Sequence, residues 1–179
     1  MKATGIVRKI DDLGRVVIPK EIRRTMRIRE GDPLEIFTDS NGGVILKKYY
    51  PIRELGSFVK ECADSLAQTS GHITCIVDKS RVIAASGAAK RGFMDKDISN
   101  ELEKAINSRE PIAAERSSSN FVRILEDDSE AVYNHELIVP IISEGDALGA
   151  ILFLSDDKKM GDVERKLAQS TAGFIGNQV

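Results

Sequence analysis

Apolar residues come in short runs separated by turn residues up to residue 49, and in longer runs with helical or strand spacing after it. Thr4 to Ile10 alternates as a strand does, Asp11 to Gly14 reads as a turn, and Arg15 to Ile18 is a β-branched strand apolar on both faces. Pro19 suits a first helical position, with its φ already set and no N–H to leave unpaired, so Lys20 to Arg27 is expected as a helix of about two turns ending before Gly31-Asp32. Pro33 to Asp39 and Val44 to Tyr49 read as two further strands joined by Ser40-Asn41-Gly42-Gly43. Four short strands and one short helix approach the lower size limit for an independent core. This segment is therefore expected to pair with a second copy, so that Val16, Val17, Ile18, Ile45 and Leu46 are covered from both chains.

Pro51 ends that pattern. From Ile52 to Thr69 apolar or small residues recur at Ile52, Leu55, Val59, Cys62 and Leu66, the three-four spacing of a helix that either contacts another chain or lies on its own domain. Gly71 closes it, and His72 to Val77 and Val82 to Ala85 follow as strands around Asp78 to Arg81. A helix is expected over Ile98 to Ser108 and a loop from Glu110 to about Glu130. Ala131 to Ile142 and Ala147 to Ser155 read as a hairpin around Ser143 to Asp146, and Asp162 to Asn177 as a closing helix with the stripe Val163, Leu167, Thr171, Phe174 and Ile175. Strands and helices in this order describe an α+β domain. The boundary drawn from the sequence is 1–52 for the head and 53–179 for the tail.

Charge divides at the same place. The whole chain of 179 residues has a formal net charge of −2, which by itself argues against a nucleic-acid partner. Residues 1–50, however, hold 11 Lys+Arg against 7 Asp+Glu, which leaves the other 129 residues with 15 against 21. A basic head is joined to an acidic tail. On a helical projection Lys20, Arg23, Arg24 and Arg27 share one arc, with Ile18, Ile22 and Met26 opposite, while Arg8, Lys9 and Arg15 extend the patch if the strands lie alongside. Arginine's planar fork fits phosphate oxygens and guanine edges, so this patch favours nucleic acid over a generic anion.

Other chemistry is thinly represented. His72 and His135 are the only histidines, so no multi-histidine metal site exists, and no GxSxG, HExxH, P-loop or GxGxxG motif occurs. The pairs Asp11-Asp12, Asp127-Asp128 and Asp156-Asp157 fall in expected turns or loops, where acidic residues are ordinary. Cys62 and Cys75 have no CxxC or Cys/His spacing and read as small buried side chains in a reducing cytosol. The longest apolar stretches, such as Ala147 to Leu154, are far short of the roughly 20 residues that span a bilayer. The expectation is a non-enzymatic cytoplasmic protein without a membrane partner.

The run from Met1 through Leu13-Gly14-Arg15-Val16-Val17-Ile18-Pro19 to Ile28, with Gly31-Asp32-Pro33-Leu34-Glu35-Ile36 and Ile45-Leu46-Lys47-Lys48-Tyr49, resembles the DNA-binding domain of AbrB-type transition-state regulators. That resemblance implies a swapped-hairpin β-barrel dimer and contacts to double-stranded promoter DNA through Arg8, Arg15, Arg23 and Arg24, with Lys9 beside them. Residues 53–179 resemble a GAF-type sensory domain, on element order and on the closing helix after Leu148 to Leu152, with a PAS-like domain as the alternative. Together the two parts resemble the SpoVT-type regulators of late sporulation. This implies a homotetramer acting in the forespore, activating some genes and repressing others, without a known cofactor but with room for a small-molecule ligand in the GAF-like part. A second reading of the same head is a MazE-like antitoxin. Its disfavouring feature is the long, patterned tail, since antitoxin tails are usually short and unfolded when free.

Overall fold

A computed structural model describes residues 5–88, 90–127 and 133–179; the expected strand starts at Thr4 and Ala131, and Asp128, lie outside the described residues. The chain divides into two units, residues 1–49 and 50–179.

In the first unit Pro19 stands one position earlier than expected, as the N-cap of α1 (Lys20–Thr25) with ψ 148° rather than as its first helical residue; the first turn carries Glu21 and the last turn Arg23 and Arg24. The helix is shorter than the expected Lys20 to Arg27, because Arg27 turns to φ 51° and the Ile28 N–H closes on the Arg23 carbonyl at 2.7 Å. β1 (Leu34–Thr38) and β2 (Val44–Lys48) pair antiparallel, Ile36 opposite Leu46. Asp39 builds their connection, its Oδ1 accepting the N–H groups of Asn41 at 2.9 Å and Gly43 at 2.7 Å. Lys48 reaches back across the unit, donating to the Arg27 carbonyl at 2.6 Å and pairing with Asp32 at 3.0 Å.

The strands expected at Thr4 to Ile10 and Arg15 to Ile18 are not formed among the described residues, although the Asp11–Gly14 turn between them is. A strand needs a neighbour for its N–H and C=O groups, and β1–β2 makes a two-stranded sheet that does not include this segment. Its apolar side chains lie in the open: Val7 is 87% exposed and Val17 70%, and on the hairpin Ile36 is 67% and Val44 69% exposed.

The second unit is built on a five-stranded antiparallel sheet in the order β4-β3-β7-β6-β5. Its strands are β3 (Ile73–Asp78), β4 (Val82–Ser86), β5 (Ile112–Glu115), β6 (His135–Ser143) and β7 (Asp146–Ser155). β6 and β7 join through Glu144 and Gly145, both at positive φ (48° and 89°), the two-residue turn whose twist matches its strands. α2 (Pro51–Glu54), α3 (Gly56–Ser70) and α5 (Asp162–Gly176) pack one core against one sheet face, with Ile52, Val59, Ala63, Leu66, Ile76, Ile151, Phe153 and Ile175 inside it. α4 (Asn100–Ser108) and the segments around Phe93, Ile124 and Tyr133 close a second core with Cys75, Val77, Leu152 and Leu154 on the opposite face. A strand covered on both sides has no polar face, which is why β7 is apolar along nearly its whole length.

Three expectations for this unit change. The Ile52–Thr69 helix is two helices, broken at Leu55 because Gly56 adopts φ 44°. The Glu110–Glu130 segment is not all loop, since β5 adds an edge strand to it. The closing helix is rotated slightly from the expected stripe: Ile175 is buried as expected and Leu167 and Thr171 are half-buried, but Val163 and Phe174 are exposed and Ala168, Ala172 and Gly176 take the buried positions. Small residues win because the helix lies close on the sheet; a Cβ on Gly176 would stand 2.2 Å from the Ile142 carbonyl oxygen.

Candidate nucleic-acid interface

The five basic residues singled out in the head occupy three places. Arg8 and Lys9 are exposed, on backbone without regular secondary structure between Gly5 and Asp11. Arg23 and Arg24 project from the exposed last turn of α1, whose half-buried Ile22 lies on the other side. Arg15 is held at the mouth of the turn. Asp11 Oδ1 accepts the N–H of Leu13 at 3.0 Å and of Arg15 at 2.7 Å, and Asp11 Oδ2 pairs with Arg15 Nε at 2.8 Å. The Arg15 backbone N–H, then its guanidinium, hold the Asp11 carboxyl below the usual carboxylate range. The Arg15 side chain is 70% exposed. The structure thus places Arg23 and Arg24 side by side and fixes Arg15 through Asp11.

Sequence reasoning missed Asp11 as the residue that orients Arg15. The signal was present in Asp11-Asp12-Leu13-Gly14-Arg15, where an aspartate can bond N–H groups two and four residues on and Gly14 supplies φ 76°.

Two clefts of the tail are lined by described residues. In the core under α4, Phe121 stacks on Tyr133 at 5.6 Å, Phe93 lies 6.2 Å from the same ring, and the Tyr133 hydroxyl accepts the Ile124 N–H at 3.2 Å. Beside β5 a cleft of about 330 Å³ is lined by Ala114, Ser118, Asn120, His135, Glu136 and Lys159. Glu136 is only 1% exposed, with Oε1 accepting the Val122 N–H at 2.7 Å. A second cleft of about 350 Å³ lies between α3 and α5, against Cys62 and Phe174. Burial pushes the Cys62 thiol up, and Glu61 adds to the shift, so this is not an activated nucleophile. Among the described residues no three His, Cys, Asp or Glu side chains are placed to hold a metal ion, and no helix is long and apolar enough to cross a membrane.

Residues 54–179 match the family described as stage V sporulation protein T C-terminal, transcription factor. The chain is also 50% identical to stage V sporulation protein T of Bacillus subtilis (strain 168) over 180 aligned positions, the whole of this chain and 99% of that one. The chain belongs to the stage V sporulation protein T family of transcription factors. Its head is 65% identical over 51 residues to the transition state regulatory protein AbrB of the same organism, covering 28% of this chain and 52% of AbrB. Residues 7–54 match a model described as antidote-toxin recognition MazE, bacterial antitoxin. The tail is similar in fold to the cofactor-binding GAF domain of the nutrient sensor CodY from Clostridium difficile, with a TM-score of 0.54 at 16% identity, covering 66% of this chain and 82% of that domain. The tail's fold is GAF-like.

Proposed function

We propose that this chain regulates late-sporulation genes in the forespore cytoplasm by binding double-stranded promoter DNA through paired heads, activating some genes and repressing others. Arg8, Lys9, Arg15, Arg23 and Arg24 are the DNA contacts. The carrying observation is the exposed pair Arg23 and Arg24 on a basic head whose own apolar residues are uncovered. Pairing two heads covers Val7, Val17, Ile36 and Val44, gives residues 5–18 the strand neighbours they lack, and doubles the number of cations facing the duplex. A barrel closed from two chains is the fold this reading requires. The tail links two such dimers into a tetramer and receives a signal, a small molecule or a partner, which it passes to the heads through α2 and α3. No catalytic step is part of this function.

The antitoxin reading uses the same head but needs a tail that folds on a toxin. Residues 54–179 instead carry two cores around a five-stranded sheet and match a transcription-factor family. Mapping bound DNA across the genome of sporulating cells tests the proposal. Discrete promoter peaks that vanish in an Arg23→Ala, Arg24→Ala double variant support it, whereas no enrichment in the parent, or peaks unchanged in the variant, overturns it.

A further inference from the structure

Arg53 lies in α2, the short turn that opens the second unit, and its guanidinium is engaged on three sides. Its Cζ sits 3.8 Å from the centroid of the Tyr50 ring, Nε donates to Asp78 Oδ2 at 2.5 Å, and Nη2 donates to Ser80 Oγ at 2.7 Å. Asp78 is 1% exposed, so its carboxylate depends on these partners. Its other oxygen, Oδ1, accepts the N–H groups of Ser80 at 2.6 Å and Arg81 at 2.8 Å. One carboxylate therefore shapes the β3–β4 turn and anchors the cation that fixes where the head's chain joins the second unit.

The same turn is bonded on its far side to the other face of the sheet. The Ser80 carbonyl accepts the Ile98 N–H at 2.9 Å, the Val82 N–H donates to the Lys96 carbonyl at 2.9 Å, and Arg81 faces Asp97 at 3.6 Å. Ile98 immediately precedes Ser99, the N-cap of α4. Ser99 donates its N–H to the Ile124 carbonyl at 2.8 Å, donates its hydroxyl to the Arg123 carbonyl, and accepts the Leu102 N–H at 3.0 Å. An unbroken set of bonds thus runs from residue 50 through the turn to α4 and the 121–125 segment, which cover the face opposite α3 and α5.

We infer that Arg53 is a positioning residue that couples the α4 face to the connector between head and tail. Coupling requires one element that both ends bias, and here it is the Asp78–Arg81 turn. A planar guanidinium can bond Asp78 and Ser80 and stack on Tyr50 at once, whereas a lysine offers a single point charge. A residue that only neutralised Asp78 would be replaceable by lysine and would leave α4 unaffected. The purpose of the coupling rests on the sensory role proposed above; its existence does not, and is measured without DNA or ligand.

Amide hydrogen exchange on the full chain tests it. Arg53→Ala should raise exchange about tenfold at Ser80, Arg81, Ile98 and the first turn of α4, the scale expected for losing a charge-assisted hydrogen bond. Arg53→Lys, which keeps the charge but not the bond to Ser80 Oγ or the stack on Tyr50, should restore only part of the protection at Ser80, Arg81, Ile98 and α4 alike. Because coupling is reciprocal, Ser99→Ala should raise exchange over residues 50–55 although it touches none of them. Changes confined to 50–55 and 78–81 in the Arg53 variants, with residues 50–55 silent in Ser99→Ala, overturn the inference. If Arg53→Ala does not fold, Arg53→Lys and Ser99→Ala decide the question alone. Promoter affinity measured on the same variants bears on the proposed function separately, since a protein that bound no DNA would still show the exchange pattern.

Discussion

Gly149 on β7 lies so close to Val77 on β3 that a Cβ added to it would stand 2.0 Å from the Val77 carbonyl oxygen, and 2.7 Å from Ile52 Cδ1. The Val77 carbonyl is backbone and cannot rotate away, and Ile52 is wholly buried. Gly149→Ala is therefore expected to destabilise the tail by about 3 kcal/mol through forced separation of the two central strands. Gly173, in the exposed face of α5, has open space where its Cβ would be. Gly173→Ala is expected to stabilise by roughly 0.5–1 kcal/mol by removing backbone freedom from the unfolded chain. Urea midpoints of the two variants, followed by circular dichroism, should move in opposite directions.

Arg23 and Arg24 are expected to be required for DNA. Four arginines per chain in a paired head neutralise about eight phosphates, giving a slope of log affinity against log salt of about −7. Arg23→Ala or Arg24→Ala should abolish promoter binding near physiological salt while the oligomer persists, and at low salt the residual slope should be shallower by about 2. Fluorescence anisotropy over a potassium chloride series reads both quantities. A slope near zero in the parent would remove the electrostatic basis of the proposal.

Val17 is expected to be an interface residue. A lysine there is harmless on a single head, where the position is 70% exposed, but would bury an unpaired charge between two. Val17→Lys should halve the mass of the assembly in light scattering and remove DNA binding, with the tail's unfolding unchanged.

Glu164 gives the tail an acid-sensitive contact. Its Oε2 accepts the Gly161 N–H at 2.7 Å at the start of α5, and its other oxygen lies 3.8 Å from His72 Nε2. The Gly161 N–H, then Glu164's own N–H, with a smaller contribution from His72, hold the carboxyl below its ordinary value of 4.5. A depressed value in the folded state means that the contact stabilises above about pH 4.5 and is lost as pH falls through the folded value. Glu164→Gln should lower the melting temperature at neutral pH and flatten its decline between about pH 5 and pH 3, as followed by calorimetry. Equal declines in parent and variant would show that the contact carries none of the acid sensitivity.

Much of this was legible before any coordinates. The tail's helices and central strands announce themselves because long apolar runs and helical spacing leave few alternatives. β5 does not, since Ile112-Ala113-Ala114-Glu115 is too short and too small for a period to show. The break at Leu55 hides behind a continuous apolar stripe and depends on one glycine's φ. Glu136 opens an apolar strand and looks solvent-facing, but its carboxylate is buried against an N–H donated from Val122 in a distant loop, which local patterning does not encode. In the head the basic residues were readable one by one. Their convergence was not, because in the proposed pairing residues 5–18 take their strand partners from the second chain.

Under the proposed pairing, the uncovered apolar surface of the head sets a dosage rule. Where two heads must meet before either can hold DNA, the number of working heads below the dimer's dissociation constant rises with the square of the protein's concentration. Doubling expression then quadruples occupancy at a weak promoter, and a modest rise in synthesis becomes a sharp developmental threshold without any additional regulator.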